Sequence, residues 1–193
     1  MGYSQAQKAE SKQRVLETAS RQIRENGIEA LGVAECMRSA GLTHGAFYGH
    51  FSSRDALILE ALEHAVVQGE KRMVALAADA KKREITPLQS IAESFLSDRH
   101  LKNPGNGCAL CALAGEARHA NLEVRELLTR YVHQLASHIA QARSSDHEEL
   151  TLGIVATIVG AVTLARAVDD DKLAKSILAG SLALVMAQDS VVQ

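Results

Sequence analysis

The stretch GLTHGAFYGHF, residues 41–51, decides the fold of this chain. It packs two histidines and two phenylalanines among three glycines, too many glycines for an ordinary core helix. Glycine inside a helix costs about 1 kcal/mol relative to alanine, so a helix here propagates poorly. The sequence therefore predicts a short helix, residues 44–50, whose surface is shaped to fit a partner.

The residues just before this stretch supply a second short helix. The pattern predicts a helix over Val33–Ser39, a tight turn AGL at 40–42, and then the helix of 44–50, which together make a helix-turn-helix. Gly41 provides the positive φ that the turn needs, and Thr43 is placed to cap the second helix. Phe47 and Phe51 are expected to face the core. A tight helical corner with no partner is the alternative interpretation.

A helix in this position is expected to enter the major groove of DNA. We expect Tyr48 and His50 to donate to phosphate, and His44 and Ala46 to reach base edges or a thymine methyl group. Glycine at the outer positions lets backbone approach backbone. The candidate DNA-binding residues are Thr43, His44, Gly45, Ala46, Tyr48, Gly49, His50, Arg54 and Arg38, with Lys8, Lys12 and Arg14 as further phosphate contacts.

Outside this region the chain predicts an all-α protein. It has only two prolines in 193 residues, and Ala, Leu, Glu, Gln and Arg dominate. Cap signals place about nine helices and no strand. The first helix begins near Ser11 and ends at Gly27, Thr86 and Pro87 open another, and SDHE at 145–148 opens an apolar one. We expect a three-helix domain at 1–54 and a larger helical bundle at 55–193.

Charge and composition restrict the class of protein. The net charge is −2, but residues 1–54 hold seven Lys and Arg against five Asp and Glu. Three cysteines and a polar N-terminus are typical of a reducing cytoplasm. The apolar run at 152–168 contains Arg166 and is shorter than a bilayer requires, which favours a buried helix and no membrane contact.

The residues 27–58, GIEALGVAECMRSAGLTHGAFYGHFSSRDALI, resemble the DNA-binding region of the TetR family of transcriptional regulators. The family pattern is met at Gly27, Val33, Ala40, Gly41, Leu42, Thr43, Gly45, Phe47, Tyr48, His50, Phe51, Ser53 and Asp55. Three positions depart from it: Gly32 where a threonine is frequent, Ala34 where a basic residue is frequent, and Met37 where alanine is typical. These changes remove polar contacts from the helix of 33–39.

The resemblance implies a repressor that binds a palindromic double-stranded DNA operator and is released by a small-molecule effector. It also implies a homodimer through the last two helices, about 147–168 and 171–188. Small residues there, such as Gly153, Ala156 and Gly160, allow close helix approach. Close packing within one monomer is the alternative.

A second informative stretch is NGCALCALAGEARHA, residues 106–120. We expect a helix from Cys108 to about Arg118, whose start would favour the Cys108 thiolate, with Cys111 one turn along. The stretch resembles a TetR subgroup in which some members sense electrophiles or oxidants, and that resemblance places Arg166 nearby as a cation. Alternatively, both cysteines are small buried hydrophobes. Phe95, Cys111 and Tyr131 are further candidates for an effector pocket.

Three classes of function remain open at this point: a dimeric DNA-binding regulator, a thiol oxidoreductase using Cys108 and Cys111, and a helical interaction module. No βαβ pattern surrounds the C-x-x-C, and no P-loop, Rossmann or Ser/His/Asp signature is present. A zinc site would need a second ligand pair, which His119 alone does not supply. The sequence therefore predicts a regulator that is not an enzyme, with no metal and no cofactor.

Overall fold

The computed structural model describes residues 5–143 and 147–189, and every regular element in those ranges is helical, which confirms the all-α prediction. Three short 3₁₀ helices accompany the α-helices, at His44–Gly49, Pro104–Asn106 and Ala117–His119. The α-helices are α1 (Gln5–Asn26), α2 (Val33–Ser39), α3 (Arg54–Arg83), α4 (Pro87–Phe95), α5 (Asp98–Lys102), α6 (Ala109–Leu113), α7 (Leu122–Arg143), α8 (Glu148–Ala167) and α9 (Asp171–Asp189).

The described residues form two compact units, and the first comprises residues 5–67 and 104–127. Its core uses the inward face of α1, where Val15, Ala19 and Ile23 are fully buried. Gly27 ends α1 as predicted, with φ of +90°. The predicted start at Ser11 is wrong, because α1 is already helical at Gln5 and Ser11 is buried within it.

Residues 104–127 belong to this unit because they pack against α1. The 3₁₀ helix Pro104–Asn106 and α6 both contact α1. A Cβ on Gly105 would lie 2.7 Å from Arg21 Cγ, so only glycine allows this approach. The carboxylate of Glu116 accepts a hydrogen bond from the Ile28 backbone N–H at 3.1 Å. The predicted domain boundary between residues 54 and 55 stays a prediction. The compact units group residues 5–67 with residues 104–127 instead.

The second unit comprises residues 68–103, 128–143 and 147–189. Within it α4 packs on α8 and α9, and α8 packs on α9. Thr86 caps α4 as predicted, accepting from the Gln89 N–H at 3.0 Å, with Pro87 in the first turn. The Gln89 side chain donates to the Glu93 carboxylate at 2.8 Å.

Helix α8 has two different faces. Seven of its residues are buried, including Ile154, Ile158 and Val162. Leu164 on the other side is 59% exposed. At 20 residues the helix is long and apolar enough to cross a membrane by composition, but a soluble core helix meets the same test. Of the predicted capping box at 145–148, Ser145 and Asp146 lie outside the described residues, and His147 occupies the N-cap position.

The predicted helix from Cys108 to about Arg118 is shorter than expected. Helix α6 covers only Ala109–Leu113, and Cys108 is its N-cap residue. The backbone then turns at 114–116 before the 3₁₀ helix Ala117–His119. Glu116 lies at the end of this turn, where its carboxylate meets the N–H of Ile28. The turn thus takes the place of the last predicted helical residues.

Candidate nucleic-acid interface

Helix α2 and the residues after it form the predicted helix-turn-helix. Gly41 has φ of +75°. Its N–H donates to Arg38 O at 3.0 Å, while the Leu42 N–H reaches back to Met37 O at 2.9 Å. These bonds satisfy carbonyls at the end of α2 and reverse the chain. The positive φ is the conformation for which glycine was predicted at this turn.

The second helical element is a 3₁₀ helix, His44–Gly49, seated on two aromatic rings. Phe47 and Phe51 are both 3% exposed, and their stacked rings lie 5.7 Å apart. Both inward-facing predictions are therefore confirmed. Two of the six residues in this 3₁₀ helix are glycines, which disfavour helix, and the hydrogen-bond geometry of a 3₁₀ helix is poor over longer runs. Both facts are consistent with a short element.

The opposite face of this 3₁₀ helix is open. Tyr48 is 74% exposed, and its ring packs edge-on against Phe47 at 5.2 Å. A Cβ placed on Gly45 or on Gly49 would meet no atom within 4 Å. Thr43, His44, Gly45, Tyr48 and Gly49 are exposed, and Ala46 and His50 are half-buried. The predicted contact residues thus share one accessible surface, which we call the 44–49 face.

His50 lies at the edge of this face in a cationic setting. Burial lowers the pKa of its imidazole, and the ammonium groups of Lys8 and Lys12 lower that pKa further. Its buried Nδ1 has no hydrogen-bond partner among the described residues. Lys12 is held elsewhere, with its Nζ 2.6 Å from the Glu60 carboxylate and 5.3 Å from the centroid of the Phe51 ring.

Two predicted contacts have partners within the protein, and a third lacks its predicted cap. Arg54 donates to the carbonyls of Ile28, Glu29 and Leu31 at 2.8–3.0 Å, so its guanidinium fastens the loop between α1 and α2. Arg38 pairs with Glu35 one turn earlier on α2. Thr43 occupies the N-cap position, but its side chain makes no capping hydrogen bond, so the predicted cap is wrong. DNA contact by Arg54 and Arg38 stays a prediction.

The effector and sensor candidates are divided between the two units. Cys108 and Cys111 lie in the first unit, 2% and 3% exposed. Phe95 and Tyr131 are buried in the second unit, where a Cβ on Gly69 would overlap the Tyr131 hydroxyl. Arg166 also lies in the second unit, donating to the His100 and Leu101 carbonyls at 2.7 and 3.2 Å. Their roles in sensing stay predictions.

Sequence reasoning missed Glu116. Its carboxylate lies against Gly27 and bonds the Ile28 N–H, joining the turn after α6 to the end of α1. These residues are 88 positions apart, and no local pattern connects them. The sequence predicted Gly27 only as the end of the first helix, whereas the structure shows that it also leaves room for this carboxylate.

A short exposed helix resting on buried aromatics, joined to α2 by a glycine turn, defines the first unit as a helix-turn-helix domain. Residues 15–61 match the family model described as bacterial regulatory proteins, tetR family. The N-terminal region of the chain therefore carries a DNA-binding domain of the TetR type. This assignment favours a regulator over the thiol oxidoreductase.

Comparison with individual proteins agrees with this family. The chain is 33% identical over 70 residues to YerO, an uncharacterized HTH-type transcriptional regulator of Bacillus subtilis. That match covers 36% of this chain and 24% of the relative, so the chain matches about a quarter of that relative's length.

Solved structures extend the likeness to the whole fold. The reduced form of Escherichia coli NemR superposes with a TM-score of 0.76 at 18% identity, covering 91% of this chain and 95% of that one. A TetR transcriptional regulator from Chloroflexus aurantiacus gives a TM-score of 0.76 at 22% identity, covering 93% and 94%. At these identities the likeness establishes the fold.

Proposed function

We propose that this chain is a cytoplasmic, dimeric DNA-binding transcriptional regulator, acting as a repressor that a small-molecule effector or thiol modification releases from its operator. The observation that carries the proposal is the 44–49 face. Tyr48 is exposed there, and added Cβ atoms at Gly45 and Gly49 would meet no other atom, while Phe47 and Phe51 are buried beneath. A structural corner would need neither the exposed Tyr48 nor the open glycines.

The proposed DNA contacts follow from the position of each side chain. Tyr48 projects from the middle of the face, and its hydroxyl is placed to donate to a phosphate oxygen. His44 begins the 3₁₀ helix and is exposed, which suits contact with a base edge. Gly45 and Gly49 have open space where a Cβ would stand, so a sugar-phosphate backbone can approach closely.

The proposed dimer uses the exposed faces of α8 and α9. Large apolar side chains that stay 36–65% exposed lie on both helices, at Leu150, Leu152, Leu164, Leu173 and Leu184. Added Cβ atoms at Gly153, Gly160 and Gly180 would find nothing within 4 Å, so the small residues predicted for close approach face outward. Open small residues beside exposed leucines are what a second copy of the same helix pair would fill.

The proposed thiol route runs through the first unit. Cys108 and Cys111 are both buried on or beside α6, which packs on α1. Adding a polar or bulky group to a buried thiol would force α6 to move, and α1 would lose its packing partner. The similarity to a reduced form of NemR makes redox chemistry worth testing here. Release by a non-covalent effector in the second unit is the other proposed route.

Fluorescence anisotropy with a duplex selected by the protein from a random library tests DNA binding. Tyr48→Phe should weaken binding to all sequences alike, because a phosphate contact carries no sequence information. His44→Ala should relax the preference at one position of each half-site, by about 1–3 kcal/mol. Unchanged affinity and base preference in both variants would remove the 44–49 face from the DNA interface.

The thiol route is tested by measuring affinity for the same duplex before and after mild peroxide or N-ethylmaleimide. Wild type should lose affinity, and Cys108→Ser should retain it. Cys111→Ser distinguishes a disulfide from a simple adduct, because only a disulfide needs the second thiol. Loss of binding that persists in Cys108→Ser would remove Cys108 from the route. A wild type that ignores both reagents would assign the signal to a non-covalent effector.

A further inference from the structure

The buried face of α7 ends on a charged side chain. Tyr131, Leu135 and Ile139 are buried at intervals of four residues along this helix, and Arg143 is the next residue in the same series. Arg143 is 5% exposed, and its Nε and Nη1 atoms are buried without a hydrogen bond to any residue that the structure describes. No ion pair among those residues involves Arg143 either. The second unit therefore buries a positive charge for which the described chain supplies no partner.

The beginning of α8 adds a second polar group of this kind. Thr151 is 3% exposed, and its hydroxyl oxygen is buried without a hydrogen bond to the described residues. The Thr151 N–H donates to the His147 carbonyl at 3.0 Å, and the N–H groups of residues 148–150 come too early in the helix for a bond of this kind. His147 makes no capping bond with its side chain. Backbone donors and the dipole of this 20-residue helix thus favour negative charge at its start.

Arg143 and Thr151 are kept near each other by the short connection between their helices. Four residues connect α7 to α8, the length of an αα-hairpin, in which the end of one helix lies beside the start of the next. Both residues belong to the second unit and lie on the buried sides of their helices. A guanidinium keeps its positive charge in proteins, and burying it unpaired is strongly unfavourable. An anion at this end of the helix pair would satisfy the guanidinium, the hydroxyl and the first N–H groups of α8.

We propose that Arg143, the Thr151 hydroxyl and the first turn of α8 bind a small carboxylate anion. Arg143 supplies a charged donor, Thr151 a hydroxyl donor and α8 its backbone N–H groups, which are the groups that carboxylates accept bonds from. Glu148 and Glu149 are exposed in the same turn, and their charges favour a singly charged carboxylate over a phosphate dianion. The site contains none of the predicted DNA-binding or sensor residues, so it goes beyond the proposed function and its test does not depend on DNA.

Thermal unfolding of the full chain tests the site, with sodium acetate replacing sodium chloride at constant ionic strength and pH 7. Acetate should raise the Tm of wild type progressively, because it binds the folded protein in preference to the unfolded chain. Arg143→Met should remove this rise. Without acetate, Arg143→Met should unfold at the same temperature as wild type or higher, since an unpaired buried charge is replaced by an apolar side chain. Arg130→Met, an exposed arginine of α7 with the same change in charge, should respond to acetate as wild type does.

Two further measurements locate the anion. Thr151→Val keeps the shape of the side chain without its hydroxyl, so acetate affinity should fall about tenfold while the fold without acetate keeps its stability. In a ¹⁵N spectrum of wild type, the resonance of the Arg143 Nε–H group should move as acetate is added. That resonance is identified by its absence from Arg143→Lys, which keeps the charge but has no Nε, so the measurement stands even where Arg143→Met does not fold.

Three results would overturn the inference. Equal responses to acetate in wild type and Arg143→Met, or an unmoved Nε–H resonance, would mean that acetate does not bind at Arg143. A larger rise in Tm with inorganic phosphate than with acetate, at the same ionic strength, would exclude the carboxylate class. Asp146, which lies outside the described residues, is the acidic side chain nearest to Arg143 in the sequence. If Asp146→Asn and Arg143→Met both lower the Tm without acetate, by equal amounts, the chain itself supplies the anion.

Discussion

Two glycine-containing stretches, 41–51 and 103–107, are used in opposite ways. In residues 41–51, Gly45 and Gly49 have nothing within 4 Å of an added Cβ. In residues 103–107, Gly105 is so close to α1 that an added Cβ would overlap Glu25 and approach Arg21. The first stretch leaves space on the surface, and the second is filled by the protein's own chain.

The difference shows that glycine content alone does not identify a binding surface. What distinguishes 41–51 is that aromatic residues alternate with its glycines, so that Phe47 and Phe51 anchor the segment while Tyr48 stays exposed. Gly105 has no such aromatic neighbours in the sequence, and it serves the packing of residues 104–127 on α1. A side chain added at an open glycine, one with no atom near its Cβ position, should leave the fold stable but weaken binding to the partner. A side chain added at a filled glycine, one with other atoms close to its Cβ position, should destabilise the fold.

The largest effect is expected at Gly160, an open glycine on the proposed dimer seam. An added Cβ there meets no atom within 4 Å, so the described monomer leaves space at this position, but a leucine would hold two copies apart. Gly160→Leu should sediment as a monomer, and operator affinity should fall about 10²-fold or more as the two half-sites are no longer bound together. Ala78→Leu, at an exposed position of α3, is the matched control. A dimeric Gly160→Leu protein with normal affinity would place the interface elsewhere.

In the second unit, His100 is a buried titratable side chain. The pKa of His100 is lowered to about 4, mainly by burial and also by the charges of Arg166 and Arg72, while the hydrogen bond to the Phe95 carbonyl opposes the shift. A depressed histidine pKa stabilises the fold above the unfolded value of about 6.5, and this stability is lost as the pH falls towards 4. The free energy of unfolding should therefore fall by about 3 kcal/mol between pH 7 and pH 4 through this group.

Denaturant unfolding at several pH values measures this loss, and His100→Asn is the comparison. The variant should be less stable at pH 7 and should show a shallower dependence on pH below 6.5. Equal pH dependence in the two proteins would mean that folding does not lower the pKa of His100.

Gly27 and Gly41 separate backbone strain from packing. Both have positive φ, but only Gly27 faces another group, with an added Cβ 2.7 Å from Glu116 Oε1. Gly41→Ala should cost about 1–2 kcal/mol for its left-handed backbone. Gly27→Ala should cost about 1 kcal/mol more, because Glu116 must also release the Ile28 N–H. Urea unfolding compares the two, and Glu116→Gln in the Gly27→Ala background shows whether the carboxylate carries the difference.

The sequence predicted the elements of the first unit better than their contacts. Gly27, Gly41, Phe47 and Phe51 do what their local patterns indicated, because caps, turns and inward faces depend on neighbouring residues. The Glu116 bond to Ile28 depends on residues brought together only by folding. Arg54 was expected at DNA on the strength of its charge, yet three carbonyls of the α1–α2 loop take its guanidinium.

Helix length was the other weakness of the sequence reasoning. Predicted helix 108–118 ends at Leu113, and the element at 44–49 is a 3₁₀ helix. Both are short segments in which tertiary packing, on α1 or on the Phe47 and Phe51 rings, outweighs the small free-energy differences of propensity.

Gly45 tests the open side of the comparison directly. Gly45→Ala adds a methyl group where no atom of the free protein lies within 4 Å. Stability should change by less than about 0.5 kcal/mol. Affinity for the selected duplex should fall about tenfold, if the DNA backbone approaches this position as closely as proposed. A protein that is destabilised but binds normally would reverse the assignment and make Gly45 a structural glycine.

The smallest effect is the pH dependence of binding at His50. In the free protein burial, Lys8 and Lys12 lower the pKa of this imidazole, and Glu60 on α3 offsets part of the Lys12 charge by pairing with it. A phosphate beside the ring would raise the pKa in the complex. The complex would then bind more protons than the free protein, so affinity should rise as the pH falls between the two pKa values.

Anisotropy from pH 7.5 to 5.5 measures this rise, with circular dichroism to verify that the protein stays folded. His50→Gln should bind with nearly constant affinity over the range, while His44→Gln, on the same face, should keep the wild-type pH dependence. A slope that survives in His50→Gln but disappears in His44→Gln would move the titrating contact to the start of the 3₁₀ helix. A slope of the opposite sign in wild type would mean that DNA buries His50 without giving it a phosphate.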